Sequence, residues 1–363
     1  MKIGIVNDMR LAAEALRRAV LLDSRHQVIW TAKDGIEAVA FCAAERPDLV
    51  LMDLIMPNMG GVEATRQIMC RHPCPILLVT ADVGANANLV FEAMACGALD
   101  AIDTPHVEGD GPRENAAPLL KKISEIEKRI REVQPVCLEE KSAPASSAIE
   151  PVGLVAIGAS AGGPGALATV LGGLPEKFGA AIVIVQHIDA QFANGMAEWL
   201  DQHSVIPVRL AREGDRLEAG VALLAGTAGH LILKDAHRLG YVSEPRDNIY
   251  KPSIDVFFAS VCKYWARNAV GVVLTGMGAD GARGLKSLRD KGCYTIAQDR
   301  ATSMVYGMPK AAATLGAVVD IVPIQGIAQK LSRAFSRTAG VRVNGDKPFT
   351  SQISLRPREK GQG

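Results

Sequence analysis

Val152-Gly-Leu-Val-Ala-Ile-Gly-Ala-Ser160-Ala-Gly-Gly-Pro-Gly165 is the stretch whose reading decides the fold of the second half of this chain. The apolar run Val152 to Ile157 predicts a buried strand, and the segment Leu167 to Leu171 predicts a helix. The small residues between them predict a tight turn carrying Ser160, with a backbone that another molecule can approach closely. A helix start leaves N–H groups unpaired and carries a partial positive charge. A serine hydroxyl held there has donors nearby for a developing oxyanion. The spacing Gly158-x-Ser160-x-Gly162 also matches a nucleophile elbow. The blander reading is a structural strand-to-helix turn, and the residues downstream weigh against it.

An acyl-transfer serine needs a base and an orienting acid. His187 closes the apolar run Ala181-Ile-Val-Ile-Val-Gln186, at a C-terminal strand end like Ser160. Asp280 lies in Thr275-Gly-Met-Gly-Ala-Asp-Gly281, directly after the predicted strand Gly271 to Leu274. Singly, a histidine after a strand reads as structural. Three such residues at strand–loop junctions of one sheet read as a Ser–His–Asp set. The chain order Ser, His, Asp differs from the Ser, Asp, His order of α/β-hydrolases. A dinucleotide-binding turn is disfavoured, because its second glycine position is Ser160 and no acid closes the following strand. Further predicted strands, Val221 to Ala225, His230 to Leu233 and Cys293 to Ala297, complete a second α/β unit that ends near Phe335.

The first hundred residues alternate short apolar strands with amphipathic helices. The strands read Lys2 to Val6, Val28 to Ala32, Leu49 to Met52, Ile76 to Val79 and Asp100 to Ile102. Leu11 to Leu22 and Gly35 to Glu45 are helical between them. This alternation predicts a parallel sheet covered on both faces, with chemistry at the C-terminal strand ends. Asp8, Asp53 and Thr80 sit at three such ends. Two carboxylates meeting there suit Mg²⁺, which uses one or two carboxylates plus phosphate oxygens, and would let Asp53 attack a phosphoryl donor. The alternative reads Asp8 and Asp53 as helix N-caps and Thr80 as a turn residue.

Length and composition bound the rest. The chain has 363 residues, enough for two domains, and 48% of them are hydrophobic, enough for a core in each. A formal charge of +1 gives no argument for a nucleic-acid partner, and no apolar run is long enough for insertion in a bilayer. Met1 to Val6 meets Asn7-Asp8 at once, so it reads as a strand and not a signal peptide. Seven cysteines without a CxxC pair fit a reducing cytoplasm. Cys70-Arg-His72-Pro-Cys74 lacks the second ligand pair a zinc site needs. The expected division is one domain over residues 1–133, a linker over 134–151, a second domain over 152–335, and a polar, basic, disordered tail over 336–363. The charged helix from Arg113 to Val133 is expected to run outward into solvent.

Residues 1–105 resemble the receiver domain of two-component response regulators, which implies a flavodoxin-like doubly wound sheet. Asp53 in Met52-Asp-Leu-Ile-Met-Pro57 matches the phospho-acceptor of that family, Thr80 its switch Thr/Ser, and Asp8 one of its paired Mg²⁺-binding acids. Three positions depart from the family. Asn7-Asp8 replaces two adjacent acids, Thr104-Pro105 replaces Lys-Pro, and Ala101 stands at the aromatic switch position. A threonine at 104 offers a hydrogen bond but no charge to a phosphoryl oxygen.

Residues 152–335 resemble the catalytic domain of the chemotaxis methylesterase CheB family, a second doubly wound parallel α/β domain. The resemblance rests on separated motifs: Gly158-Ala-Ser-Ala-Gly-Gly163, Gln186-His187, Lys251-Pro-Ser-Ile-Asp255, Leu274-Thr-Gly-Met-Gly-Ala-Asp-Gly281, and Thr295 through Pro309. It implies Ser160 as nucleophile, His187 as general base and then acid, Asp280 as orienting acid, and the Met277 N–H as oxyanion donor. Ala161 stands where the family often has Thr, and Ala225-Gly-Thr-Ala-Gly-His230 where it commonly has a Pro-Pro-Gly-x-His loop. The implied substrate is a glutamyl γ-methyl ester on a methyl-accepting chemoreceptor, with deamidation of receptor glutamines as a second activity. The implied phosphodonor is a chemotaxis-type histidine kinase, and the implied location is the cytoplasm. The Asn7 and Thr104 variants resemble the WspF branch, which serves surface sensing. The competing expectation is a non-catalytic regulator that docks to, or drains phosphate from, a kinase.

Overall fold

The computed structural model describes residues 1–105, 112–131, 153–265 and 268–336. Its first half runs β1 (Lys2–Val6), α1 (Arg10–Leu21), β2 (Gln27–Ala32), α2 (Gly35–Ala44), β3 (Leu49–Met52), α3 (Gly61–Arg71), β4 (Ile76–Thr80), α4 (Ala87–Ala95), β5 (Asp100–Asp103) and α5 (Pro112–Arg131). The five strands pair in parallel in the order β2-β1-β3-β4-β5. β3 and β4 are buried along their whole length, so they read as continuous apolar runs rather than alternating ones. β1 pairs on one side with β2 and on the other with β3, and the strand order turns back there. That switch point opens a crevice at the strand ends, and Asp8 and Asp53 flank it.

The second half runs β6 (Gly153–Ala159), α6 (Gly163–Gly172), β7 (Ala180–Gln186), α7 (Ala193–Gln202), β8 (Val208–Leu210), β9 (Ala222–Leu224), β10 (His230–Leu233), β11 (Leu239–Val242), α8 (Ile254–Tyr264), β12 (Ala269–Val273), α9 (Ala282–Asp290), β13 (Tyr294–Gln298), α10 (Met308–Thr314), β14 (Asp320–Val322) and α11 (Ile324–Ser336). Seven of these strands form a parallel sheet in the order β14-β13-β12-β6-β7-β9-β8. Its switch point lies between β6 and β12, the strands that precede Ser160 and Asp280.

Three features differ from the sequence expectation. His230 to Leu233 is a strand, but it pairs antiparallel with β11 in a separate hairpin and not with the main sheet. Asp235 causes this reversal: its carboxylate accepts the amides of His237 and Arg238 and closes a turn after four residues. β8 and β14 are three-residue edge strands, too short for a period to register in the sequence.

The third difference is α5, which does not run outward into solvent. Ala116, Leu119, Ile123 and Ile126 recur at three- and four-residue spacing and are buried in a core with Leu16 and Val20 of α1. Ala161, from the turn after β6, joins the same cluster, and Met277 and Val305, from loops of the second half, pack against it. Burying a large apolar side chain contributes about 1.5–3 kcal/mol, whereas exposed charge pairs contribute a few tenths. The apolar stripe therefore decides where the helix lies, and some of its charged residues go under cover with it, Glu127 among them. The expected linker over 134–151 and residues 337–363 of the expected tail lie outside the described residues. Among the described residues, no helix is long and apolar enough to cross a membrane.

Candidate active site

The receiver-type pocket is built at the ends of β1, β3, β4 and β5. Neither acid is a helix cap: α1 is capped at Met9 and α3 at Gly60. Asp8 is exposed and Asp53 is partly buried. Burial raises the Asp53 carboxyl above its ordinary range; the amides of Leu54 and Ile55 oppose the rise, and the charge of Asp8 adds to it. Asn7 Nδ2 donates to Asp53 Oδ2 at 2.9 Å, while Asn7 Oδ1 accepts the Met9 amide at 2.9 Å. The Asn7 oxygen is therefore committed to backbone, and Asn7 turns a donor toward Asp53. Thr80 is buried, and its hydroxyl accepts Asn86 Nδ2 at 3.1 Å. The Thr104 amide donates to the Thr80 carbonyl at 2.8 Å, which places Thr104 beside Thr80 with no cation of its own.

At the second switch point, Ser160, His187 and Asp280 are 6%, 4% and 7% exposed. The turn after β6 needs Gly162, whose φ of 74° is left-handed and whose missing Cβ leaves room for Met304 and Thr275. The His187 amide donates to the Ala159 carbonyl at 3.0 Å, which keeps the ends of β6 and β7 in register. Gln186 Nε2 donates to the carbonyls of both Ser160 and His187, at 2.9 and 3.1 Å, so one side chain ties the serine turn to the histidine turn. On the other flank, Thr275 Oγ1 donates to the Ala161 carbonyl at 2.9 Å, and Gln298 Oε1 accepts the Thr275 amide at 2.8 Å. The sequence motifs contain Gln186, Thr275 and Gln298, but a motif does not say which carbonyl each side chain braces.

His187 Nε2 and Asp280 Oδ2 are 2.8 Å apart. The other ring nitrogen, Nδ1, is buried without a partner among the described residues. Ser160 makes no hydrogen bond to the ring among the described residues, so the expected Ser–His contact is not closed here. Burial lowers the pKa of His187; Asp280 opposes the fall, and the charge of Arg129 adds to it. Burial would raise the Asp280 carboxyl, but the hydrogen bond and charge of His187 and the amides of Ile254 and Asp255 outweigh it and hold Asp280 below its ordinary range. Nearby, Asp255 is pushed up to about 6 by burial and by the charge of Asp280. The arrangement is a neutral imidazole held by an ionised carboxylate, with one nitrogen available as base. The Met277 amide donates to no acceptor among the described residues, as an oxyanion donor requires.

The receiver-type half covers this pocket. Tyr250 stacks on His187 with ring centroids 4.3 Å apart, and the guanidinium of Arg129 from α5 lies 5.5 Å from the Tyr250 centroid. Lys122 of α5 bridges Asp100 at 2.8 Å and Asp189, two residues past His187, at 3.2 Å. Phe91 of α4 meets Trp199 of α7 at 6.4 Å. None of these cross-contacts was visible in the sequence, because each joins residues distant in the chain.

The family model of CheB methylesterase matches residues 155–331, and that of the response regulator receiver domain matches 3–109. The protein-glutamate methylesterase/protein-glutamine glutaminase of group 3 operon of Pseudomonas putida is 56% identical over 93% of this chain and 100% of its own length.

The chain belongs to the CheB family.

A CheB-family relative from Mesorhizobium japonicum, named protein-glutamate methylesterase/protein-glutamine glutaminase, is 53% identical over 93% of this chain and 100% of its own length. The crystallised CheB methylesterase catalytic domain of Thermotoga maritima is 31% identical, covers 51% of this chain and 99% of that one, and has a TM-score of 0.49.

Proposed function

We propose that this chain is a receiver-regulated protein-glutamate methylesterase and protein-glutamine glutaminase acting on methyl-accepting chemoreceptors in the cytoplasm. The observation that carries the reading is the buried His187–Asp280 pair beside the Ser160 turn, sealed by a helix of the receiver half. Ser160 Oγ attacks the γ-carbonyl of a glutamyl methyl ester while His187 Nδ1 takes its proton. The Met277 N–H stabilises the oxyanion. Collapse expels methanol, which receives the proton from His187, and water then hydrolyses the acyl-enzyme by the same route. A glutamine amide follows the same steps with ammonia as leaving group.

Asp53 is the phosphorylation site, with a chemotaxis-type histidine kinase as donor. Asp8 and Asp53 fit a divalent cation, because they gather two carboxylates in a pocket whose burial and mutual charge hold the Asp53 proton more tightly. Asp8 and Asp53 would hold Mg²⁺, which when bound would supply positive charge to the phosphoryl oxygens. Asp53 is the attacking oxygen, Thr80 and Thr104 offer hydroxyls to the phosphoryl group, and Asn7 donates a hydrogen bond in place of a second acid. The division into a receiver over 1–133, a linker over 134–151, a catalytic domain over 152–335 and a tail over 336–363 goes with this reading. Asn7 and Thr104 favour the WspF-like branch.

The test is methanol release from a receptor cytoplasmic fragment carrying glutamyl γ-methyl esters, with and without a small phosphodonor and Mg²⁺. Turnover stimulated by phosphodonor is expected. No turnover under either condition would return the chain to the docking or phosphate-sink reading.

A further inference from the structure

Asp280 is held by more than His187. Ser253 Oγ donates to Asp280 Oδ1 at 2.9 Å, and the amides of Ile254 and Asp255 donate to its two oxygens at 2.7 and 3.1 Å. The carboxylate therefore sits on the N-terminus of α8, where backbone donors and the helix dipole favour negative charge. Ser253 also caps this helix, accepting the Val256 amide at 3.4 Å. Behind Ser253 stands His230. The Ser253 amide donates to His230 Nδ1 at 3.1 Å, and His230 Nε2 lies 3.2 Å from the Pro245 carbonyl. With Nδ1 accepting and Pro245 able only to accept, the ring is neutral and carries its proton on Nε2. Both side chains are fully buried. The connection from the hairpin strand β10 to the catalytic pair is thus continuous: Pro245, His230, Ser253, Asp280, His187. Pro245 and Tyr250 belong to one loop, so the segment that stacks on the catalytic ring is tied to the same chain of bonds.

We propose that Ser253 and His230 are positioning residues for the esterase reaction. Ser253 fixes Asp280 so that Oδ2 remains on His187 Nε2, and His230 holds the Ser253 backbone in the conformation that aims its hydroxyl. The Ser253 O–H also satisfies one of the two carboxylate oxygens, which lets Asp280 stay ionised beside Asp255. A buried carboxylate stripped of a donor rotates toward whatever donors remain or takes up a proton, and either outcome loosens the imidazole that must accept the serine proton. The proposal rests on the reading of Asp280 as the orienting acid.

The experiment measures kcat and KM for methanol release from the methylated receptor fragment by full-length, phosphodonor-treated protein. Ser253→Gly keeps a tolerable N-cap but removes the hydroxyl; its kcat is expected to fall on the order of 10- to 100-fold with KM changed by less than about 2-fold. Ser253→Thr, which restores the hydroxyl, is expected within about 3-fold of wild type. His230→Asn, whose amide oxygen can accept the Ser253 N–H, should retain most of kcat, and His230→Leu should lose it. The decisive measurement is Ser253→Gly in an Asp280→Asn background, where its cost should shrink to about 2-fold or less, because a residue acting through Asp280 has nothing left to position. If the two costs multiply, or if Ser253→Gly leaves kcat unchanged, the positioning role is wrong while Asp280 keeps its own. If Asp280→Asn itself turns over like wild type, the orienting-acid reading fails and this proposal falls with it. Should Ser253→Gly not fold, the His230→Asn and His230→Leu pair in both backgrounds makes the same comparison.

Discussion

The two sheets place their chemistry at the same topological position and treat it in opposite ways. In the receiver half, Asp53 is partly buried at a rim where Asp8 is exposed. In the catalytic half, Ser160, His187 and Asp280 are nearly closed from solvent, and the lid is the receiver itself. Both pockets follow from where a parallel strand order reverses. Access is set separately, by α5 and α4, which lie across one strand-end crevice and leave the other open. The molecule thus joins a rim site that is partly open to solvent to a site that is almost fully buried.

The largest effect expected from breaking this comparison is loss of chemistry at the closed site. Ser160→Ala should lower methanol release on the order of 10³-fold or more, since the members of such a set act as a unit. Asp53→Asn should instead leave basal release intact and abolish its stimulation by phosphodonor. A Ser160→Ala protein with near-normal turnover removes the serine mechanism altogether.

Lifting the lid comes next. Removing residues 1–150 should raise basal turnover, and about 10-fold corresponds to a closed state favoured by roughly 1.4 kcal/mol. Arg129→Gln in the full chain should recover part of that gain, roughly 3-fold, because a cation over an aromatic ring that is not fully desolvated contributes about 0.5–1 kcal/mol. The sign for His187 follows from the same charge. The Arg129 cation disfavours the imidazolium, so removing it raises the His187 pKa, and histidine NMR titration should show the ring protonating at higher pH in Arg129→Gln. A fragment no faster than unphosphorylated full-length protein breaks the contrast between open and closed sites and makes the receiver a localisation module.

The smallest effect concerns the open site. Asn7→Asp replaces an amide that donates to Asp53 with a second acid. Mg²⁺ should bind more tightly, by about 10-fold if the new carboxylate adds roughly 1.4 kcal/mol at this partly solvated rim. Mg²⁺ titration followed by intrinsic fluorescence or calorimetry measures it. An unchanged affinity means that Asn7 does not face the cation, and the difference between this pocket and a two-acid pocket is then without consequence.

Much of this was legible along the chain. The period of the apolar runs and the small residues after Ile157 dictated two parallel α/β sheets, because burial of both sheet faces leaves continuous apolar strands that few other arrangements tolerate. Ser160, His187 and Asp53 could be picked out because each directly follows a strand, Thr80 because it ends one, and Asp8 and Asp280 because they lie in the loops that leave β1 and β12. The solvent-going reading of α5 failed because its charged composition outnumbers a stripe of four apolar residues, and only a partner surface tells which face matters. The His230 strand was recognised but its hairpin partner was not, because periodicity marks a strand but not its neighbour. What only the tertiary structure decided is every relation between strand ends: Asp280 on Nε2 and not Nδ1, Gln186 between two carbonyls, Ser253 and His230 behind Asp280, and Arg129 over Tyr250. Those relations join residues up to 121 positions apart (129 to 250). Local propensity acts over a few residues, whereas burial acts over whatever surfaces meet, so the sequence could name the groups but packing alone could aim them.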